Sequence, residues 1–300
     1  MIRRLFWVVV VFQLSLTAAQ SPARHVDREQ LMRDLTTLAS PAFEGRRTGT
    51  PGALKARQWI VEQFRGAGLS PAGTEQYLQP FKARDADAAN VIGRLTGREA
   101  RARTLVITAH YDHLGVRNGI LYPGADDNAS GVVTLLAAAR HFRANPPRHP
   151  MLFAALDSEE DGLRGARALV DSRLIERRGT AMNINLDMVS KNDRRELYAA
   201  GTSFAPWLRP ILEDVQTRSA VKLLFGHDRP SPPAATEDWT HESDHGPFHD
   251  AGIAWVYFGV EDHPDYHRPT DTSGRVNAAF FGDAADTIIE ALRAIDRAVD

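Results

Sequence analysis

The chain has 300 residues, 36 Lys and Arg against 38 Asp and Glu for a formal charge of -2, 43% hydrophobic content and no Cys. So even a charge balance, with no block of Lys or Arg, excludes the electrostatic footprint of a nucleic-acid binder. The missing Cys excludes disulfides, thiolate nucleophiles and Cys-held zinc or iron, so any metal must rest on His, Asp and Glu.

In chain order, residues 1–19 read as a secretory signal. Arg3 and Arg4 start it, an apolar run from Leu5 to Leu16 comes next, and Thr17-Ala18-Ala19 closes it with small residues. The run is well short of the roughly 20 residues of a membrane span. Cleavage there predicts a protein of the periplasm or the exterior, free of the membrane because no Cys offers lipid attachment. A helix is expected over 28–38, where Leu31, Leu35 and Leu38 keep helical spacing, and a second over 53–67, between Pro51-Gly52 and Gly68. Short apolar or alternating runs then predict strands at 76–81, 90–95, 104–109, 151–156, 181–186 and 253–258. Helical patterns at 130–142, 162–170, 206–218 and 277–298 separate several of them. The alternation predicts an α/β fold: one domain over 26–300 with an open, mostly parallel central sheet and helices on both faces. The Pro-rich piece at 229–234 reads as a surface loop, since a strand still comes after it.

The residues just past each central strand carry the chemistry. The run at 104–109 enters His110-Tyr111-Asp112, 151–156 enters Asp157-Ser158-Glu159-Glu160, 181–186 enters Asp187, and 253–258 leads into a loop reaching His267. Open α/β sheets bind ligands at the carboxyl ends of their strands, and these ends carry His, Asp and Glu. If strand geometry continues past 109, His110 and Asp112 share a side and Asp112 orients the imidazole. Adjacent Glu159 and Glu160 point apart, so one can bind metal while the other stays free as a base. The loop Gly124-Ala125-Asp126-Asp127-Asn128-Ala129-Ser130-Gly131 adds carboxylates before a helix, with Asn128 or Ser130 also available as a cap.

Taken together, Leu38-Ala39-Ser40-Pro41-Ala42-Phe43-Glu44-Gly45-Arg46-Arg47, His110 onward to Gly115, the Gly124 to Gly131 loop, Glu159-Glu160 with Gly162-Leu163-Arg164-Gly165, Asn185-Leu186-Asp187, Ser243-Asp244-His245 and His267 form an ordered set. With it the chain resembles the co-catalytic dizinc exopeptidases of metallopeptidase family 28, which include secreted bacterial aminopeptidases. The resemblance implies two zinc ions: one on His110 and Asp187, one on Glu160 and His267, bridged by Asp127 in preference to Asp126. It implies Glu159 as general base, Asp112 as orienting partner of His110, and a peptide as substrate. Several relatives carry a Tyr ahead of the Ser-Asp-His element, where this chain has Asp238-Trp239-Thr240-His241-Glu242, so the oxyanion donor stays open.

Other readings compete. His241-Glu242-Ser243-Asp244-His245 fits HExxH, yet Gly246-Pro247 comes at once after it and no apolar helical period precedes it. A glutaminyl cyclase-like acyltransferase would share the fold, but His110 argues for hydrolysis. A non-catalytic binding domain would lack a ligand, and all are present. Carboxypeptidase or dipeptidase action is the nearer alternative to an aminopeptidase. Arg in the pocket would favour a substrate carboxylate, and acids would favour an amine. His249 and His263 are expected at the surface.

Overall fold

The computed structural model describes residues 23–99, 101–228 and 237–299. The signal segment at 1–19 and the Pro-rich loop at 229–234 lie outside them. Helix α1 (Arg28–Leu38) begins where the Asp27 side chain accepts from the Gln30 amide, and it buries Leu31, Leu35 and Leu38. After a short 3-10 turn, α2 (Pro51–Gly66) starts with Pro at its first position and Thr50 as cap. Then come β1 (Ser70–Pro71), β2 (Leu78–Ala83), β3 (Ala86–Leu95) and β4 (Thr104–His110), and after them a small hairpin of β5 (Gly115–Arg117) and β6 (Ile120–Tyr122). The chain continues through α3 (Gly131–Ala144), β7 (Met151–Leu156), α4 (Arg164–Val170), β8 (Thr180–Leu186), β9 (Glu196–Ala200), α5 (Leu208–Gln216) and β10 (Lys222–Phe225). It closes with α6 (His245–Asp250), β11 (Trp255–Gly259) and α7 (Ala278–Ala298).

Nine strands form one sheet in the order β1-β3-β7-β4-β8-β11-β9-β10, with β2 also on β3. At its centre β7, β4, β8 and β11 run parallel. Strand β3 joins β7 antiparallel at one side, and β9 joins β11 antiparallel at the other. The expected single α/β domain with a mostly parallel sheet therefore forms, with reversed strands added beside the parallel centre.

Both faces of the central strands are buried, and side-chain alternation divides them. Leu105 and Ile107 of β4, with Phe153 of β7 and Ile184 of β8, pack toward α1, α2, α3, α5 and α7. Val106, Leu152, Ala154 and Leu156 point the other way, onto Ala166 and Leu169 of α4 and Phe248 of α6. The predicted helices and strands are all present with ends moved by a few residues; β3 starts four residues before the expected 90. Strands β1, β9 and β10, the β5-β6 hairpin and α6 are additions that the sequence pattern does not predict. Among the described residues, no helix is long and apolar enough to cross a membrane.

Candidate metal centre

The carboxyl ends of the four parallel strands deliver the candidate residues to one cleft. His110 is the last residue of β4, Glu159 and Glu160 lie just past β7, Asp187 just past β8, and His267 sits in the loop after β11. A buried polar ladder leads to Asp187. Asn183 donates to the Thr108 hydroxyl (2.9 Å), Thr108 to Asn185 Oδ1 (2.8 Å), Asn185 to Ser243 Oγ (2.8 Å), and Ser243 to Asp187 Oδ2 (2.7 Å). Asn183 and Asn185 alternate on one face of β8, and their hydrogen bonds reach through Ser243 to the carboxylate of Asp187 just past the strand.

Asp127 stands between two donor groups. Its Oδ1 is 3.4 Å from His110 Nε2, which is also 3.2 Å from Asp187 Oδ1. Its Oδ2 is 3.0 Å from His267 Nε2, which is 3.4 Å from Glu160 Oε2. Two ligand atoms about 2.0–2.1 Å from one zinc at the tetrahedral angle lie roughly 3.3–3.4 Å apart. The observed separations cluster around that value, and the donors are the nitrogen and oxygen types zinc takes, so the residues fit the ion. Donor atoms of His110, Glu159 and Asp187 form one group, and those of His113, Asp127, Glu160 and His267 another, all within 4.8 Å of one another in each. His113 is a member that the sequence pattern does not single out.

Asp126 is engaged elsewhere, so of the two adjacent carboxylates it is Asp127 that faces both donor groups. Asp126 Oδ1 accepts from the Ser190 amide and hydroxyl, both at 2.7 Å, and its Oδ2 meets His263 Nε2 at 2.9 Å. His263 is thus no surface residue: its side chain is 9% exposed and holds this loop. His249 is half-buried and accepts from the Trp255 indole. The Asp271 carboxylate receives the amides of both Asp126 and Asp127, fixing the turn. Asn128 Oδ1 accepts the amide of Gly131, the first residue of α3, at 2.8 Å, while Ser130 at the N-cap position makes no side-chain cap bond. Gly124 has φ +57 and a Cβ there would fall 2.1 Å from the Asp127 carbonyl, so only Gly fits.

Asp112 does something other than expected. The His110 Nδ1 partner is the Asp112 backbone carbonyl at 3.2 Å, while the carboxylate is 3.8 Å away. That carboxylate instead accepts the amides of Glu159 (3.0 Å) and Glu160 (3.3 Å), positioning both. The difference arises because β4 ends at His110, so strand alternation does not extend to Asp112. Asp157 is withdrawn from the site by Arg57, Tyr111 and Thr48. Arg46, fully buried, donates to the carbonyls of Tyr111, Leu38, Pro123 and Gly124, tying the His110 and Asp127 segments together.

The electrostatics describe a surplus of carboxylate. Burial opposes a proton on His110, but Asp187, Glu159 and Asp127 overcome it and hold the imidazole well above its usual range. The same contest raises His267 to about 10, with Asp127 and Glu160 as the favourable partners. Burial pushes Glu159 well up, and Asp244, Asp187 and Asp112 add to it against His110. Glu160 goes the opposite way: despite burial, His113 and His267 hold it below the carboxylate range. The two neighbouring glutamates are therefore driven in opposite directions by their surroundings. Buried Asp244, with neither oxygen hydrogen-bonded among the described residues, is raised to about 7 by burial and Asp187 against His110.

The HExxH match dissolves in the fold. Helix α6 starts only at His245; His241 is exposed and meets Asp250, while His245 is buried on the Trp239 carbonyl. The cleft, about 130 Å³, is rimmed by Glu237, Glu242 and Asp262, with Trp239, Tyr257 and Tyr266 as aromatic walls. No Lys or Arg lines it among the described residues. Tyr266 stacks on His267 with ring centroids 3.9 Å apart. Burial and the Asp127 and Asp187 charges keep its phenol protonated.

Known proteins share both the sequence pattern and the fold. The pattern of peptidase family M28 matches residues 90–292. Aminopeptidase YwaD of Bacillus subtilis is 31% identical over 84% of this chain and 53% of its own length. The chain spans about half the length of the curated relatives it matches. In fold it is similar to a zinc aminopeptidase from Bacillus subtilis, with a TM-score of 0.73 and 18% identity over 92% of this chain and 96% of that one. It is also similar to a glutaminyl cyclase from Fimbriiglobus ruber, with a TM-score of 0.71 and 19% identity over 90% and 95%.

Proposed function

The chain belongs to peptidase family M28, and from that premise we propose that it is an exported zinc aminopeptidase holding two metal ions and releasing amino-terminal residues from peptides. The observation that carries this reading is Asp127, whose two oxygens face two separate His and carboxylate groups. His110 and Asp187 would hold one zinc, Glu160 and His267 the other, with Asp127 shared. Bound there, zinc supplies Lewis acidity toward a carbonyl oxygen and lowers the pKa of water.

The remaining steps belong to side chains. Glu159, held in place by the Asp112 carboxylate on its amide, takes the proton of the attacking water. The same carboxyl then returns the proton to the departing amine. Tyr266, kept as a neutral phenol at the cleft wall, is a donor for the developing oxyanion in place of the Tyr missing before Ser243. The acidic rim of Glu237, Glu242 and Asp262 suits a substrate ammonium, and among the described residues no Lys or Arg lines the cleft to pair with a substrate carboxylate. Export rests on the signal-like residues 1–19 and is tested by fractionating cells expressing the full chain.

The activity test is hydrolysis of peptides with free amino termini, blocked amino termini and amino-terminal Gln, with and without chelator. Chelator-sensitive release from free amino termini alone is expected. Cleavage of blocked peptides from the carboxyl end, or ring closure of Gln without hydrolysis, would overturn the reading.

A further inference from the structure

His113 lies three residues past β4, and its ring is packed so closely against the backbone that a Cβ on Gly124 would fall 2.5 Å from its Cγ and Cδ2. Its side chain is fully buried, and neither ring nitrogen has a hydrogen-bond partner among the described residues. Yet Nδ1 is 2.7 Å from Glu160 Oε1 and 3.5 Å from Asp127 Oδ2. Glu160 Oε1 also lacks a hydrogen-bond partner, so the two atoms approach each other off the N–H line. Buried polar atoms without partners are rare and call for an unseen one. Lone pairs that converge on shared space without hydrogen-bonding one another have the arrangement of ligands around an ion.

Resting on the two-zinc reading, we propose that His113 is a further protein ligand of the second zinc. That position would then be held by His113, Asp127, Glu160 and His267, whose donor atoms lie within 4.8 Å of one another, and four protein donors are the number of a closed zinc site. The first position keeps three, His110, Asp187 and the shared Asp127, and so retains a place for water and substrate. The two ions differ in consequence: the second is firmly held, and the first is the exchangeable one that chelator removes earlier.

Two measurements test this. Zinc per chain and affinity are measured for the wild type, His113→Ala and His113→Asn, the last placing an amide where Nδ1 stands. Both variants are expected to fall from two tightly held zincs to one, with the second binding weakened about 100-fold or more. A zinc-loaded wild-type crystal, which does not depend on a variant folding, is expected to place His113 Nδ1 about 2.0–2.1 Å from the ion. Two zincs of unchanged affinity in His113→Asn, or an imidazole beyond about 3 Å from any zinc, would overturn the inference while leaving the two-zinc reading intact. A wild type that takes up no zinc would overturn that reading itself.

Discussion

Replacing Arg46 with Met keeps much of the side chain's length and removes four hydrogen bonds at once: to Tyr111 O at 2.8 Å, Leu38 O at 2.9 Å, Pro123 O at 2.6 Å and Gly124 O at 2.7 Å. A typical bond contributes about 1 kcal/mol net, and an acceptor left buried costs about 1–3 kcal/mol. Against this, the buried guanidinium carries a desolvation cost: burial lowers its pKa to about 10, opposed by Asp127, Asp271, Asp112 and Glu160. Met removes that cost, so a net loss of about 2–4 kcal/mol is expected, a large part of the roughly 5–15 kcal/mol of an ordinary domain. The guanidinium is protonated in folded and unfolded chains alike well below 10, so the loss should be constant from about pH 6 to 8. Denaturant unfolding of the metal-free protein should show a lower midpoint with an unchanged slope. Zinc affinity should fall with it, since Tyr111 and Gly124 belong to the segments carrying His110 and Asp127. A stability change under about 0.5 kcal/mol with unchanged zinc affinity would refute the idea that Arg46 clamps those segments.

Three further outcomes rest on the same geometry. Glu159→Gln should keep its zinc and lose about 10²- to 10⁴-fold in kcat, measured beside the metal content; near-normal turnover would remove Glu159 as base. Gly124→Ala puts a Cβ 2.1 Å from the Asp127 carbonyl at φ +57, and should lower both thermal stability and zinc content, with an unchanged melting temperature arguing against the strain. His141 is lowered to about 4, chiefly by burial and then by His25 and Arg293. Its folded pKa lies below the unfolded value near 6.5, so its stabilising share is full above about pH 6.5 and is lost as pH falls toward 4. The unfolding free energy of metal-free His141→Gln should therefore drop less between about pH 7 and 4.5 than that of the wild type; equal drops would count against this.

Much of the architecture is legible in the sequence because the central strands are buried on both faces and read as continuous apolar runs. The site is legible where a ligand comes directly after such a run, as His110 and Asp187 do. Asp112 departs from its expected role for a physical reason: alternation does not persist past the end of β4, where the chain turns and the carboxylate swings to the amides of Glu159 and Glu160. The same turn hides His113, which strand alternation would aim away from His110. Strands β9 and β10 have no local signal of their own: Glu196–Ala200 comes after a charged stretch, and Lys222–Phe225 is four residues long. Strand β9 forms on the edge that β11 offers, and β10 on β9 in turn. Arg46 carries no local sign of its role, which depends on the nearby Leu38 carbonyl and on those of Tyr111, Pro123 and Gly124 brought from distant segments. His263 likewise gains its place only because Asp126 comes to meet it.

Asp127 is the residue on which the two-ion account turns, and titrating zinc into metal-free protein tests it most directly. The wild type should take up two equivalents, and Asp127→Ala should weaken the binding of both, because its oxygens face both groups. A wild type saturating at one equivalent, or an Asp127→Ala protein binding two as tightly as before, would contradict it.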